Sequence, residues 1–385
     1  MVTLKEYMNN LTGDVCIRML KGAIYKDRLY FMSRRDSLLI AVDLETGLIT
    51  VEDKLDFSEK NVKFTANCLG DSLVLFPTDG NEIIRYGLKD RKQFKSKINY
   101  DRKKISGYGY TGGICNNEHL YLFPGVAKQI LSVDLNTMKS SEILSDVLEE
   151  LYRYENGNNE AIFCVGISQN GSKALLPGFS TDTLTEINLD TMEYEVSYLE
   201  NETGVKGYRN VSASEDRLYL VNRAQSLMVY DRKSKKQICK AQVNGISGFS
   251  NCLPYTSGLI FVPEYQTSPY FIREKENGDI ETIQYPDDFL SMVDFTPKEQ
   301  GGLIAETNQE YIFYPHLGNM LIRIDKANGQ IRFVKLHYSE NITKYIFSSM
   351  DGMIYEKEEK VYEGDENGLY GCMDLTGLVE GVMWE

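Results

Sequence analysis

One short phrase recurs along this chain: an apolar strand, a few turn residues, then a second strand that ends in Asp-Leu-x-Thr or a relative of it. The clearest copies are residues 38–47 (LLIAVDLETG) and 130–137 (ILSVDLNT). Residues 184–191 (LTEINLDT), 228–234 (MVYDRKS) and 321–329 (LIRIDKANG) repeat it. Self-similarity at a period of roughly 40–50 residues, built of short strands, points to an all-β, seven-bladed β-propeller of four-stranded antiparallel blades. One blade cannot bury both faces of its own sheet, so such units stack on one another.

Aligned on the second strand of each unit, seven copies fall at 28–31, 72–76, 119–123, 173–176, 217–221, 258–262 and 310–314. Each follows a polar turn of the kind that closes a hairpin, such as Lys26-Asp27, Gly70-Asp71 or Glu215-Asp216. Within a unit the first strand carries small residues, the second is apolar, the third ends in Asp or Asn, and the fourth is polar. That gradient matches a sheet running from a crowded inner edge to a solvated rim. The third-strand Asp is expected to accept backbone N–H groups two residues on, as an Asx-turn.

The pattern resembles the kelch-like and related seven-bladed propellers over roughly residues 20–337. It departs from true kelch units in two ways. Phe76-Pro77 and Phe123-Pro124 stand where paired glycines are expected, and no fourth strand carries Trp. The resemblance therefore implies the fold and transfers no functional residue.

The whole chain, 1–385, reads as one propeller domain with a tail at 338–385. Either residues 1–20 or that tail is expected to help close the ring. Residues 141–156 (SEILSDVLEELYRYEN) place Leu144, Val147, Leu148, Leu151 and Tyr152 at helical spacing on one face, with Ser141 as a cap. This predicts a short amphipathic helix between units three and four, packed on the propeller.

Charge and cysteine content narrow the function classes. The net charge of -14 opposes general nucleic-acid binding. Seven Cys without CxxC spacing argue against a disulfide framework and a structural zinc site. Neither a basic-then-apolar leader nor an apolar run of about 18–20 residues is evident, so a cytoplasmic protein without membrane contact is expected. Cys68 and Cys115 share one offset before their second strands, and small inner-strand positions explain them without a metal.

Function in propellers collects on the second-to-third loops and the inter-blade loops. The expected ligand-binding residues there are Arg34, Arg35, Asp79, Tyr108, Tyr110, Arg209, Arg223, Glu264, Tyr265 and His316. Thr181, Asp182, Asn222 and Gln225 belong to the same loops. Arg grips carboxylate or phosphate in a bidentate fork, and Tyr stacks on apolar or sugar faces. Residues 100–113 (YDRKKISGYGYTGG) read as the most distinctive loop, with glycines, tyrosines and a basic run but no phosphate-loop pattern. No residue set marks a catalytic centre, a metal site or a cofactor.

Two function classes follow. The first is a non-catalytic binding or scaffold propeller that presents its loops to a protein, a glycan or a small polar ligand. The alternative is a carbohydrate-active hydrolase or lyase at the channel mouth, which needs two carboxyl groups about 5–9.5 Å apart.

Overall fold

The computed structural model describes residues 21–32, 37–58, 64–78, 80–98, 109–152, 162–164, 166–201, 203–243, 248–263, 270–289, 302–314 and 320–339. The fold is an all-β, seven-bladed propeller with four antiparallel strands to each blade. All seven second strands lie where the repeat places them, from Arg28–Met32 in blade 1 to Glu310–Tyr314 in blade 7.

Second and third strands are buried on both faces because each blade is covered by neighbours. In blade 3, strand His119–Pro124 is buried from Leu120 onward, and its partner Ile130–Asp134 is buried up to Val133. The fourth strand Lys139–Ile143 is almost wholly exposed. A near-continuous apolar run, rather than strict alternation, is what a strand buried on both faces requires.

The chain divides into two compact units. One holds residues 67–284 and the turn 325–329, and the other draws on both ends of the chain. Within the first unit an apolar layer fills each gap between successive blades. Phe76, Leu120, Leu122 and Val133 fill the gap between blades 2 and 3. Leu175, Leu184, Tyr208 and Leu220 fill that between blades 4 and 5. The Tyr208 and Tyr230 hydroxyls pair at 3.0 Å inside that layer.

The helix exists but starts later than the periodicity predicts. Helix α1 spans Ser145–Tyr152, while Ser141 sits on the fourth strand of blade 3 and caps nothing. Leu144 turns the chain between them with φ of 50°. Val147, Leu148 and Leu151 then insert between blades 3 and 4, against Ile130, Phe163 and Ile187.

In the second unit, blades 1 and 7 pack through Leu29, Ile40, Ile312 and Leu321. Among the described residues each of the two blades is built from four consecutive strands of its own; residues 1–20 and 340–385, on which the expected ring closure largely falls, lie outside the described residues. A short strand, His337–Tyr338, adds to the outer edge of blade 1 in parallel with Leu48 and Ile49. Leu336, fully buried, anchors it.

The turn between third and fourth strands repeats with one geometry. Asp43 Oδ1 accepts the Thr46 N–H at 2.8 Å, Asp134 Oδ1 the Asn136 N–H at 2.8 Å, and Asp325 Oδ1 the Ala327 N–H at 2.7 Å. Asn188 and Asp231 do the same. These bonds favour the carboxylate, so Asp43, Asp134 and Asp231 are held below the ordinary range. In all seven blades a left-handed residue stands four positions past the end of the third strand: Gly47, Arg91, Met138, Met192, Lys235, Gly278 and Gly329.

Candidate functional site

The described residues of three segments meet at the loop end of blades 4 and 5: 178–182, 199–209 without residue 202, and 222–226. Their geometry is fixed by a chain of side-chain hydrogen bonds. Asp182 Oδ1 accepts from Asn201 Nδ2 at 2.7 Å and from the Gly207 N–H at 3.0 Å. Thr203 Oγ1 donates to Asn201 Oδ1 at 2.7 Å and accepts from Asn222 Nδ2 at 2.8 Å. Asn222 Oδ1 takes the Ser226 N–H at 2.9 Å. Asp182 and Asn222 are both buried, and buried polar groups are costly unless satisfied in this way.

Backbone bonds complete the frame. The Tyr208 N–H donates to the Gly178 carbonyl at 2.9 Å and the Arg223 N–H to the Gly207 carbonyl at 3.0 Å. Gly207 adopts φ of 86°, and a Cβ there would lie 1.8 Å from the Phe179 carbonyl oxygen. Only glycine lets the connection pass so close to the blade 4 loop.

On this frame the Arg223 guanidinium lies over the Phe179 ring, 4.6 Å from its centroid. A guanidinium on an aromatic face is favourable and keeps its planar fork oriented. Arg209 is exposed at the start of the inner strand of blade 5, and Lys206 and Val205 are exposed beside it.

Of the ten residues singled out from the sequence, the structure brings Arg209 and Arg223 to this end. Tyr110 is a correction. It belongs to strand Tyr110–Asn116 and is 1% exposed, packed in the layer between blades 2 and 3. Arg34, Arg35, Asp79, Tyr108, Glu264, Tyr265 and His316 lie outside the described residues. Sequence reasoning missed Phe179 and Lys206. An aromatic directly after Pro177-Gly178, at the exit of a second strand, was the available signal for the first.

A second concavity, about 520 Å³, lies at the other end of blade 6 between Tyr255, Arg273, Lys275, Asn277 and Asn328. Its cations are engaged locally. Arg273 and Lys275 both pair with Glu281, and Arg273 also donates to the Gly329 carbonyl. The two shared-offset thiols are poor nucleophiles: burial pushes Cys68 up to about 11 and Cys115 higher still. Among the described residues no group of three His, Cys, Asp or Glu side chains is placed to hold a metal ion. No helix among them is long and apolar enough to cross a membrane.

No family model matches the sequence, and no curated protein does. Solved structures match over most of the chain. A structure described as YCF48 bound to D1 peptide aligns with a TM-score of 0.54 at 10% identity, covering 83% of this chain and 93% of that one. BamB from Moraxella catarrhalis gives 0.47 at 12% identity, covering 79% and 96%. The Cps50 (Swd1) propeller domain of Myceliophteria thermophila gives 0.49 at 13%, covering 84% and 97%. At such identities the likeness establishes the fold alone. It does not extend to kelch units in particular.

Proposed function

We propose that this chain is a non-catalytic binding propeller that presents the loop end of blades 4 and 5 to a protein partner. The observation that carries the reading is the Arg223–Phe179 stack held on a frame in which buried Asp182 and Asn222 and half-buried Asn201 and Thr203 satisfy one another. Side chains fixed in this way lose little freedom on binding, and Arg and aromatic residues are the usual anchors of protein interfaces. The structure of YCF48 was solved with a peptide bound, so a propeller of this kind accommodates one. Against the carbohydrate-active alternative stands the use of Asp182, whose Oδ1 holds the frame together.

Selection of displayed peptides against the intact chain tests the reading. Enriched peptides should bind the wild type and lose roughly tenfold or more in affinity to Phe179→Ala. They should bind Asn277→Ala, altered at the far end of blade 6, as well as the wild type. Enriched peptides indifferent to Phe179→Ala, or a selection that yields only sugar-competed binding, would overturn it.

A further inference from the structure

We propose that Asn170 is a site of spontaneous modification, at which the backbone nitrogen of Gly171 displaces ammonia from the Asn170 side chain. The Gly171 nitrogen loses its proton and attacks the Asn170 side-chain carbonyl carbon. A new C–N bond closes a succinimide ring, the amide C–N bond breaks, and ammonia leaves with the proton. Water then opens the ring at either carbonyl, leaving aspartate or isoaspartate. The sum is an amide and a water converted to an acid and ammonia, so no oxidant, metal or enzyme is needed. Asn-Gly pairs are the most open to this reaction because glycine has no Cβ to hinder the ring.

The chain has six such pairs, and the fold separates the three among the described residues. Asn156-Gly157, Asn244-Gly245 and Asn367-Gly368 lie outside them. Asn170 and Gly171 are both exposed, at the hairpin that joins the first two strands of blade 4. Gly171 has open space around it, and its N–H meets no backbone carbonyl among the described residues. The other two pairs are guarded. The Gly278 N–H donates to the Lys275 carbonyl at 2.8 Å. The Asn277 amide is also engaged, donating to Asp279 Oδ2 at 2.6 Å and accepting the Asp279 N–H at 3.1 Å. The Gly329 N–H donates to the Asp325 carbonyl at 2.9 Å, and Gly329 is buried against the Tyr255 ring. Attack at either of these needs a turn to open first. Isoaspartate at 170 would route the backbone through the side-chain carbon and so disturb the Asn170–Lys173 pair that closes the hairpin.

Incubation of the intact chain in native buffer and in concentrated urea, followed by peptide mapping with mass spectrometry, tests this. In native buffer the Asn170 peptide should convert roughly fivefold or more faster than the Asn277 and Asn328 peptides, the slowing expected where one backbone hydrogen bond must open first. Its conversion should quicken as pH rises, because the attacking nitrogen must shed a proton. Aspartate and isoaspartate should both form, the latter accepting a methyl group from an isoaspartate carboxyl methyltransferase. In urea the three peptides should convert at similar rates, since the turns that guard Asn277 and Asn328 are gone. Asn277 or Asn328 converting as fast as Asn170 in native buffer would overturn the proposal. So would an Asn170 that stays intact in native buffer and converts in urea, or the native ranking persisting unchanged in urea.

Discussion

The parallel strand at residues 337–338 makes Gly47 a sharp test of how blades 1 and 7 are joined. Gly47 has φ of 75°, and a Cβ there would lie 2.0 Å from the Lys335 carbonyl oxygen and 2.9 Å from its carbon. Gly278 occupies the matching turn of blade 6 with φ of 81° and has open space around it. Alanine at either position meets the left-handed penalty of about 1–2 kcal/mol, offset by about 0.4–1 kcal/mol from the stiffer unfolded chain. Gly278→Ala should therefore cost about 1 kcal/mol. At Gly47 the obstructing atoms are the backbone of Lys335, the last residue of blade 7's fourth strand, so the chain leading from it into the added strand has to move. That strand's bonds from His337 N–H to the Gly47 carbonyl at 3.1 Å and from Ser339 N–H to the Ile49 carbonyl at 2.9 Å are then lost. Two such bonds at about 1 kcal/mol each, with partial exposure of Leu336, add about 2–4 kcal/mol. Urea unfolding should place Gly47→Ala well below Gly278→Ala in midpoint. Hydrogen exchange should show the His337 and Ser339 amides unprotected in the first variant and protected in the second. Equal losses in the two variants, with both amides still protected, would refute the role assigned to this strand.

Other consequences are as direct. Asp182→Ala strands the Gly207 N–H and one of the two Asn201 amide hydrogens, the other going to the Val205 carbonyl, and should cost about 1–3 kcal/mol by urea unfolding, with Asp182→Asn milder because one acceptor oxygen remains. Arg323→Met removes a guanidinium that joins Glu310 on its own blade to the Leu44 carbonyl and Glu45 on blade 1, and should cost about 2–4 kcal/mol. Asp43, Asp134 and Asp231 are held below the ordinary 3.8 when folded, so their contribution is complete above that value and is lost as pH falls through the lowered folded values. The urea midpoint should decline on that acid side, and less steeply in Asp43→Asn. Iodoacetamide mapping should find exposed Cys239 labelled in the native protein, with Cys252, buried and shifted upward, labelled only in denaturant.

The blade register was legible because second strands buried on both faces carry unbroken apolar runs, and the turns before them carry Gly, Asp and Asn. Blade 2 lacks the Asp-Leu-x-Thr phrase for a visible reason. Its third strand ends at Gly87, and Asp90 supplies the turn carboxylate to the Lys92 N–H at 3.2 Å instead. Tyr110 misled because glycines around it read as a loop. Gly113 is there since a Cβ would press on Phe76 and Leu122, which marks a crowded inner strand. The helix start was misplaced because Ser141 and Glu142 satisfy helix rules while completing the pairing of blade 3 with Leu131 and Ser132. The Phe179–Arg223 stack joins residues from different blades and rests on the path of the 199–207 connection, which no local pattern encodes.

The strand at 337–338 also sets an order of assembly. Blade 1 is made first, yet its packing partners in blade 7 and the strand on its outer edge come last. Arg323 and Leu44 alone are 279 residues apart. At about 5–20 residues per second on the ribosome, blade 1 waits on the order of 15–60 s with that edge unpaired. Residues 67–284 have their neighbours at hand as they emerge. Folding during synthesis therefore begins in the middle blades, and the first-made segment is the one most in need of protection from edge-to-edge association.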